Sequence, residues 1–165
     1  MSLIGAAIDW LQATPLSTTI RESDWLFPSI ECVHVIAFVV VVGTISVVDL
    51  RLMGAASKTR RADELIEELL PVTWIAFAVA AVAGLLLFAS KPVTYTQNFF
   101  FLGKMLLLVL AAANMGAFHL FVHTSLAAAP VGPPPLAARV SGAISLALWI
   151  TIIAFGRWIG FTTLG

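Results

Sequence analysis

Apolar residues dominate four long stretches of this chain, roughly 27–48, 71–88, 99–121 and 140–159. Crossing about 30 Å of hydrocarbon as a helix takes ~20 apolar residues, so each stretch predicts a membrane-spanning helix. The fold class expected is all-α: an integral membrane four-helix bundle, one domain over residues 1–165. Pro28 and Pro71 read as first-turn residues of the first two spans, where a missing backbone N–H costs nothing. Ahead of the spans, Leu3, Ile4, Ala7, Ile8 and Leu11 recur at helical spacing, which predicts an N-terminal interfacial helix interrupted at Pro15.

The first connection, 51–70, holds Lys58, Arg60 and Arg61 followed by Asp63, Glu64, Glu67 and Glu68. With Leu65, Ile66 and Leu69 between them, the pattern predicts a short amphipathic helix on the membrane surface, its apolar side facing lipid. The third connection carries Pro130, Pro133, Pro134 and Pro135 and reads as a stiff linker. There is no internal repeat. The first residues carry no basic cluster ahead of an apolar run, so a cleaved signal peptide is not expected.

Composition sharpens the class. The chain is 60% apolar and 11% charged, with a mean hydropathy of +1.00, well outside the range of soluble domains. Nine basic and nine acidic residues cancel, and no basic stripe is interleaved with aromatics, which argues against a nucleic-acid partner. A single cysteine, Cys32, excludes an internal disulfide, a Cys-x-x-Cys pair and thiolate zinc clusters. Basic residues are retained on the cytoplasmic side of a membrane. Arg51, Lys58, Arg60, Arg61 and Arg139 gather on one side against Arg21 and Lys91 on the other, so both termini are expected on the outer face of the membrane.

Ionisable groups inside a span are costly unless paired or hydrated, and are functional candidates for that reason. The first span carries Glu31, His34 and Asp49, the third Lys104, Asn114, His119 and His123, and the fourth Arg157. At ~100° per residue Glu31 and Asp49 share one face, expected to point into the bundle, with His34 about 60° away. On the third span Met105, Ala112, Gly116, His119 and His123 share another face. Depth separates these groups into two layers about 20 Å apart: an outer one with Glu31, His34, Lys104, Met105 and Arg157, and an inner one with Asp49, Asn114, His119 and His123. The second span offers a small-residue stripe, Ala76, Ala80, Ala83 and Gly84, and the fourth offers Gly142, Ser145, Trp149, Gly156 and Gly160. Such stripes allow either close helix contact or space for a flat cofactor.

Imidazole and thioether are the usual axial ligands of haem b. The expectation is therefore a b-type haem protein moving electrons across or within the bilayer, with a quinone or a redox protein as possible partner and one or two haems per protomer. In the outer layer His34 and Met105 would be ligands, with Lys104 or Arg157 neutralising a propionate. In the inner layer the ligand would be His119 or His123, completed by an open position or a neighbouring protomer of a homo-oligomer. A bound copper or iron ion, using Glu31, His34, His119 or His123, stays open as the alternative. Glu31 and His34 have the Glu-x-x-His spacing of di-iron bundles, but that chemistry needs two such motifs. His119 and His123 have the spacing of a metal pair without a third ligand nearby. A small transporter, channel or structural subunit with no redox cofactor is the rival of a different class. The structural alternatives are a solvated helix end for His123, snorkelling for Lys104 and Arg157, an Asp49–Arg51 interfacial pair, and plain hydrogen-bonding roles for His34 and His119.

The residues Pro28, Glu31, His34, Gly43 and Asp49-Leu50-Arg51-Leu52-Met53-Gly54, followed by Lys104, Asn114, Phe118-His119 and Gly156-Arg157-Trp158, resemble a family of small, uncharacterised four-helix bacterial inner-membrane proteins. The resemblance implies the fold and the membrane and carries no activity. A looser similarity to copper-resistance membrane proteins and four-helix b-type cytochromes concerns fold alone.

Overall fold

A computed structural model of the chain describes residues 3–56, 61–122 and 134–162. The described residues form helices and no strands: α1 (Leu3–Gln12), α2 (Pro15–Glu22), α3 (Leu26–Leu52), α4 (Ala62–Ser90), α5 (Pro92–Thr96), α6 (Phe99–Phe121) and α7 (Leu136–Thr162). Four of them, α3, α4, α6 and α7, are long and apolar enough to cross a membrane. The expected all-helical membrane bundle is thus the observed class. His123, Lys58, Arg60, Pro130 and Pro133 lie outside the described residues.

Local chemistry explains the breaks. Thr14 ends the first helix and caps the second, its hydroxyl accepting from the Ser17 N–H at 3.3 Å ahead of a proline at the helix start, which is where proline is tolerated. Asn98 caps α6 in the same way through the Phe101 N–H at 3.1 Å.

The surface helix expected between the first two spans is absent as a separate element. Instead α4 starts at Ala62 and runs unbroken through Pro71 to Ser90, so the second span begins earlier than the proline suggests. A proline inside a helix forfeits one backbone bond, to the carbonyl four residues earlier. Here that carbonyl belongs to Glu67, an exposed residue. Leu65 and Ile66, expected to face lipid, are 4% and 5% exposed. Ile66 belongs to a cluster with Leu52, Ala62, Phe118, Val122 and Ala138 that closes this end of the bundle. Packing of that cluster draws the segment inward and outweighs the loss at Pro71.

The helices are ordered α4, α3, α7, α6. Packing runs from α4 to α3, from α3 to α7 and from α7 to α6, while α4 and α6 do not pack along their lengths. The α3–α4 contact uses the small-residue stripe: Ala76, Ala80 and Ala83 are buried, and Thr73 donates to Thr44 across the interface at 2.7 Å. Close approach of small residues is the main source of helix association in lipid, where apolar burial brings little. The remaining large apolar side chains point outward, among them Ile36, Val39, Ile75, Leu85, Leu106 and Val109, as a lipid-facing surface requires.

At the end opposite Leu52 the short helices fold over the bundle. Ser17 is fully buried and donates to the Ser90 carbonyl at 3.2 Å, and Arg21 donates to the same carbonyl and to the Ser17 hydroxyl, both at 3.3 Å. Ser17→Ala is expected to cost about 1 kcal/mol, because Arg21 still satisfies the carbonyl. Amide hydrogen exchange should rise over α2 and stay unchanged in the four long helices. In α5 the Tyr95 ring lies 5.3 Å from that of Phe101 and 6.4 Å from that of Phe88, and burial, helped by the charge of Glu31, pushes its phenol above the ordinary range.

Candidate functional site

Because α4 and α6 stand apart, a cleft opens between them over a floor made by α3 and α7. It encloses about 210 Å³ and is lined almost entirely by apolar groups, including Val41, Trp74, Phe77, Ala112 and Trp149. Polar side chains enter it at few points. Asp49 on α3 is 4% exposed, and its Oδ2 has no hydrogen-bond partner among the described residues. Ser145 on α7 lines the same part of the cleft. One turn along α7, the Ser141 hydroxyl donates to Asn114 Oδ1 at 3.3 Å, and Asn114 Nδ2 donates to the Ser141 carbonyl at 3.2 Å. His119 stands on the rim, exposed, its Nδ1 3.0 Å from the Met115 carbonyl. Three residues of the expected inner layer, Asp49, Asn114 and His119, thus line this cleft; His123 lies outside the described residues. Asp49 does not pair with Arg51, which is itself buried.

Seven residues is close to two helical turns, about 10.5 Å. Moving that distance toward the α5 end from Val41, Phe77, Ala112 and Trp149 reaches His34, Gly84, Met105 and Gly156, one residue on each long helix. The outer layer is thus a second storey on the same faces that line the cleft. His34 is half-buried, and its Nδ1 lies 2.8 Å from the Ala80 carbonyl. A carbonyl can only accept, so Nδ1 carries the proton and Nε2 is left with the lone pair. No partner for Nε2 occurs among the described residues.

Two glycines seat the nitrogen-bearing groups of this storey. A Cβ at Gly84 would lie 3.0 Å from His34 Cε1, and one at Gly156 would lie 3.5 Å from Lys104 Nζ. The Phe38 ring stands between them: His34 stacks on it at 6.1 Å, Lys104 Nζ lies 5.1 Å from its centroid, and Trp149 meets it at 5.8 Å. The Phe88 and Phe101 rings, stacked at 5.5 Å, bridge α4 and α6 near the end of the storey.

Other candidates are placed differently from the helical-wheel expectation. Glu31 shares a face with Asp49 but is exposed, in the second turn of α3. Met105 is 38% exposed, bordering the cleft side of α6 with part of its thioether toward lipid. Arg157 is exposed and sits 4.7 Å over the Phe161 ring at the end of α7, away from Lys104. Gly116 has nothing within 4 Å of where a Cβ would be, whereas Gly142 is wedged against α3. Among the described residues no group of three or more His, Cys, Asp or Glu side chains could hold a metal ion. The placing of Ser145 in the same cleft as Asp49, and the pairing of Asn114 with Ser141, were not anticipated. Their only trace in the sequence is a pair of serines four residues apart in an otherwise apolar stretch.

The chain belongs to the DUF6644 family, a family of unknown function, whose profile matches residues 26–162. No curated protein and no solved structure matches it.

Proposed function

We propose that this DUF6644 protein is a membrane-embedded b-type haem protein that carries electrons in a bacterial inner membrane, with His34 as the axial ligand. One observation supports the reading above the rest: an imidazole in the apolar interior whose Nδ1–H is tied to a backbone carbonyl, with Nε2 unpartnered. Histidines that bind iron or other metals almost always donate their second ring N–H in this manner, which holds the tautomer and raises the basicity of the ligand nitrogen. Haem, when bound, supplies the one-electron chemistry. The side chains contribute the rest. Ala80 orients the ligand, Phe38 packs beside it, Lys104 offers a cation for a propionate, and Met105 on the facing helix is the nearest thioether on the same storey. In this reading the Arg51 and Arg61 end lies in the cytoplasm and both termini lie outside, as the distribution of basic residues requires.

An absorption spectrum of the protein purified from haem-sufficient cells is the test. A Soret band is expected that shifts on reduction, disappears in His34→Ala and persists in His119→Ala. A colourless protein, or a Soret band that survives His34→Ala, would overturn the assignment, and the first of these would favour the non-redox alternative of an ion pathway or structural subunit.

A further inference from the structure

The cleft between α4 and α6 contains a feature that helix packing leaves without a purpose. Asp49 is 4% exposed, lines the cleft, and presents a carboxyl oxygen with no partner among the described residues. A buried polar atom costs free energy until something satisfies it, and the described residues offer Oδ2 no partner. The walls limit what that partner can be. They are apolar and aromatic, with Trp74, Phe77, Phe118 and Trp149 around the space, and the gap between α4 and α6 opens along the flank of the bundle to hydrocarbon. A molecule reaching Asp49 by this route is soluble in the bilayer.

A second polar station sets the shape of its head group. Asp49 and Ser145 line the same part of the cleft, and Asn114 pairs with Ser141. These serines are four residues apart on α7, so the two stations are separated by about 6 Å along the helix. That is the scale of the separation between the two oxygens of a benzene-1,4-diol. A flat ring with a hydroxyl at each end, carried on an apolar tail, would give Oδ2 its missing partner, reach the Asn114–Ser141 pair with its other oxygen, and lay its faces against the tryptophans. A fatty alcohol would reach only one station, and a small water-soluble anion would be repelled by the apolar path and the carboxyl.

We propose that this cleft is a binding site for a quinol, the dihydroxy form of an isoprenoid quinone, with Asp49 as its hydrogen-bond partner. The site is separate from His34, and the proposal concerns binding alone, so it stands or falls independently of haem.

The experiment is calorimetric titration of decylubiquinol, kept reduced under anaerobic conditions, into the full-length protein in nanodiscs, against empty nanodiscs. Its dimethyl ether, which keeps ring and tail but has no hydroxyl donor, is the matched probe. The quinol is expected to bind roughly tenfold or more tightly than the ether, the worth of one buried hydrogen bond to a carboxyl. Asp49→Leu should abolish that preference. Ala112→Phe, which fills the cleft from the α6 side without touching Asp49, should abolish binding of both probes, and it keeps the test decisive if the Asp49 variant is poorly folded. Equal binding of quinol and ether by the native protein, a preference that survives Asp49→Leu, undiminished binding to Ala112→Phe, or tighter binding of dodecylamine than of the quinol would each overturn the proposal.

Discussion

Gly142→Val is expected to unseat α7 from α3 and to destabilise the bundle severely. At Gly142 even a single Cβ would lie 3.0 Å from the Asp49 backbone oxygen and 3.1 Å from Leu52 Cβ. The first neighbour is a main-chain carbonyl in the last turn of α3, bonded to the Met53 N–H, and cannot turn aside, so relief requires the two helices to move apart. Valine adds two further methyls to the same gap. Overpacking of this kind costs ~1–3 kcal/mol and at times more, and here it falls on one of the contacts that hold the α4–α3 pair to the α7–α6 pair. The expected result is loss of the monodisperse peak in mild detergent, with a lowered unfolding midpoint by circular dichroism. Gly43→Val is the control, since a Cβ at Gly43 meets nothing within 4 Å. An unchanged midpoint for Gly142→Val would show that α3 and α7 are not in close contact there.

Asp49→Leu is expected to raise stability while removing the polar centre of the cleft. The carboxyl is buried, has an oxygen without a partner, and makes no ion pair among the described residues. Leaving such an atom unsatisfied costs about 1–3 kcal/mol, and an apolar side chain of similar size removes the cost and fits the apolar lining. A higher thermal midpoint in detergent is the expected measurement. Asp49→Asn should gain much less, because its amide needs partners as well. Sites kept for function are frequently destabilising to the fold, so a gain for leucine together with loss of ligand preference would mark Asp49 as a functional residue. A lower midpoint for leucine would mean that the carboxyl is satisfied in the native protein and contributes to holding α3 against α7.

How much of this was legible beforehand depends on how local the physics is. Transfer of a side chain to hydrocarbon is a property of that residue and its immediate run, so the four spans, the interfacial break at Pro15 and the membrane class follow from composition and periodicity alone. Depth is nearly as local. A helix rises ~1.5 Å per residue, so residue counts along the spans are enough to divide the polar groups into an outer and an inner layer. His34 and Lys104 meet on one storey and Asp49 and Asn114 on the other, with His119 on its rim, whereas Glu31 and Arg157 stand exposed and His123 lies outside the described residues.

Rotation about the helix axes and choice of neighbour are not local. Glu31 and Asp49 share a face by arithmetic, yet one is exposed and the other buried, because Asp49 lies where α7 comes up against α3 at Gly142. Pro71 looks like a helix start because its missing N–H is harmless there, yet packing of Ile66 against Leu52, Phe118 and Ala138 carries the helix through it. The cleft exists only because α4 meets α3, and α6 meets α7, leaving α4 and α6 unpaired; pairwise close packing of glycine and alanine makes that choice, and no single helix encodes it. The sequence by itself determined what each helix carries and at what depth, since those depend on single residues and a fixed rise. The tertiary structure alone decided that Asp49 Oδ2 meets no partner among the described residues and that His34 has one at Ala80, since a hydrogen bond between helices depends on where the second helix stands.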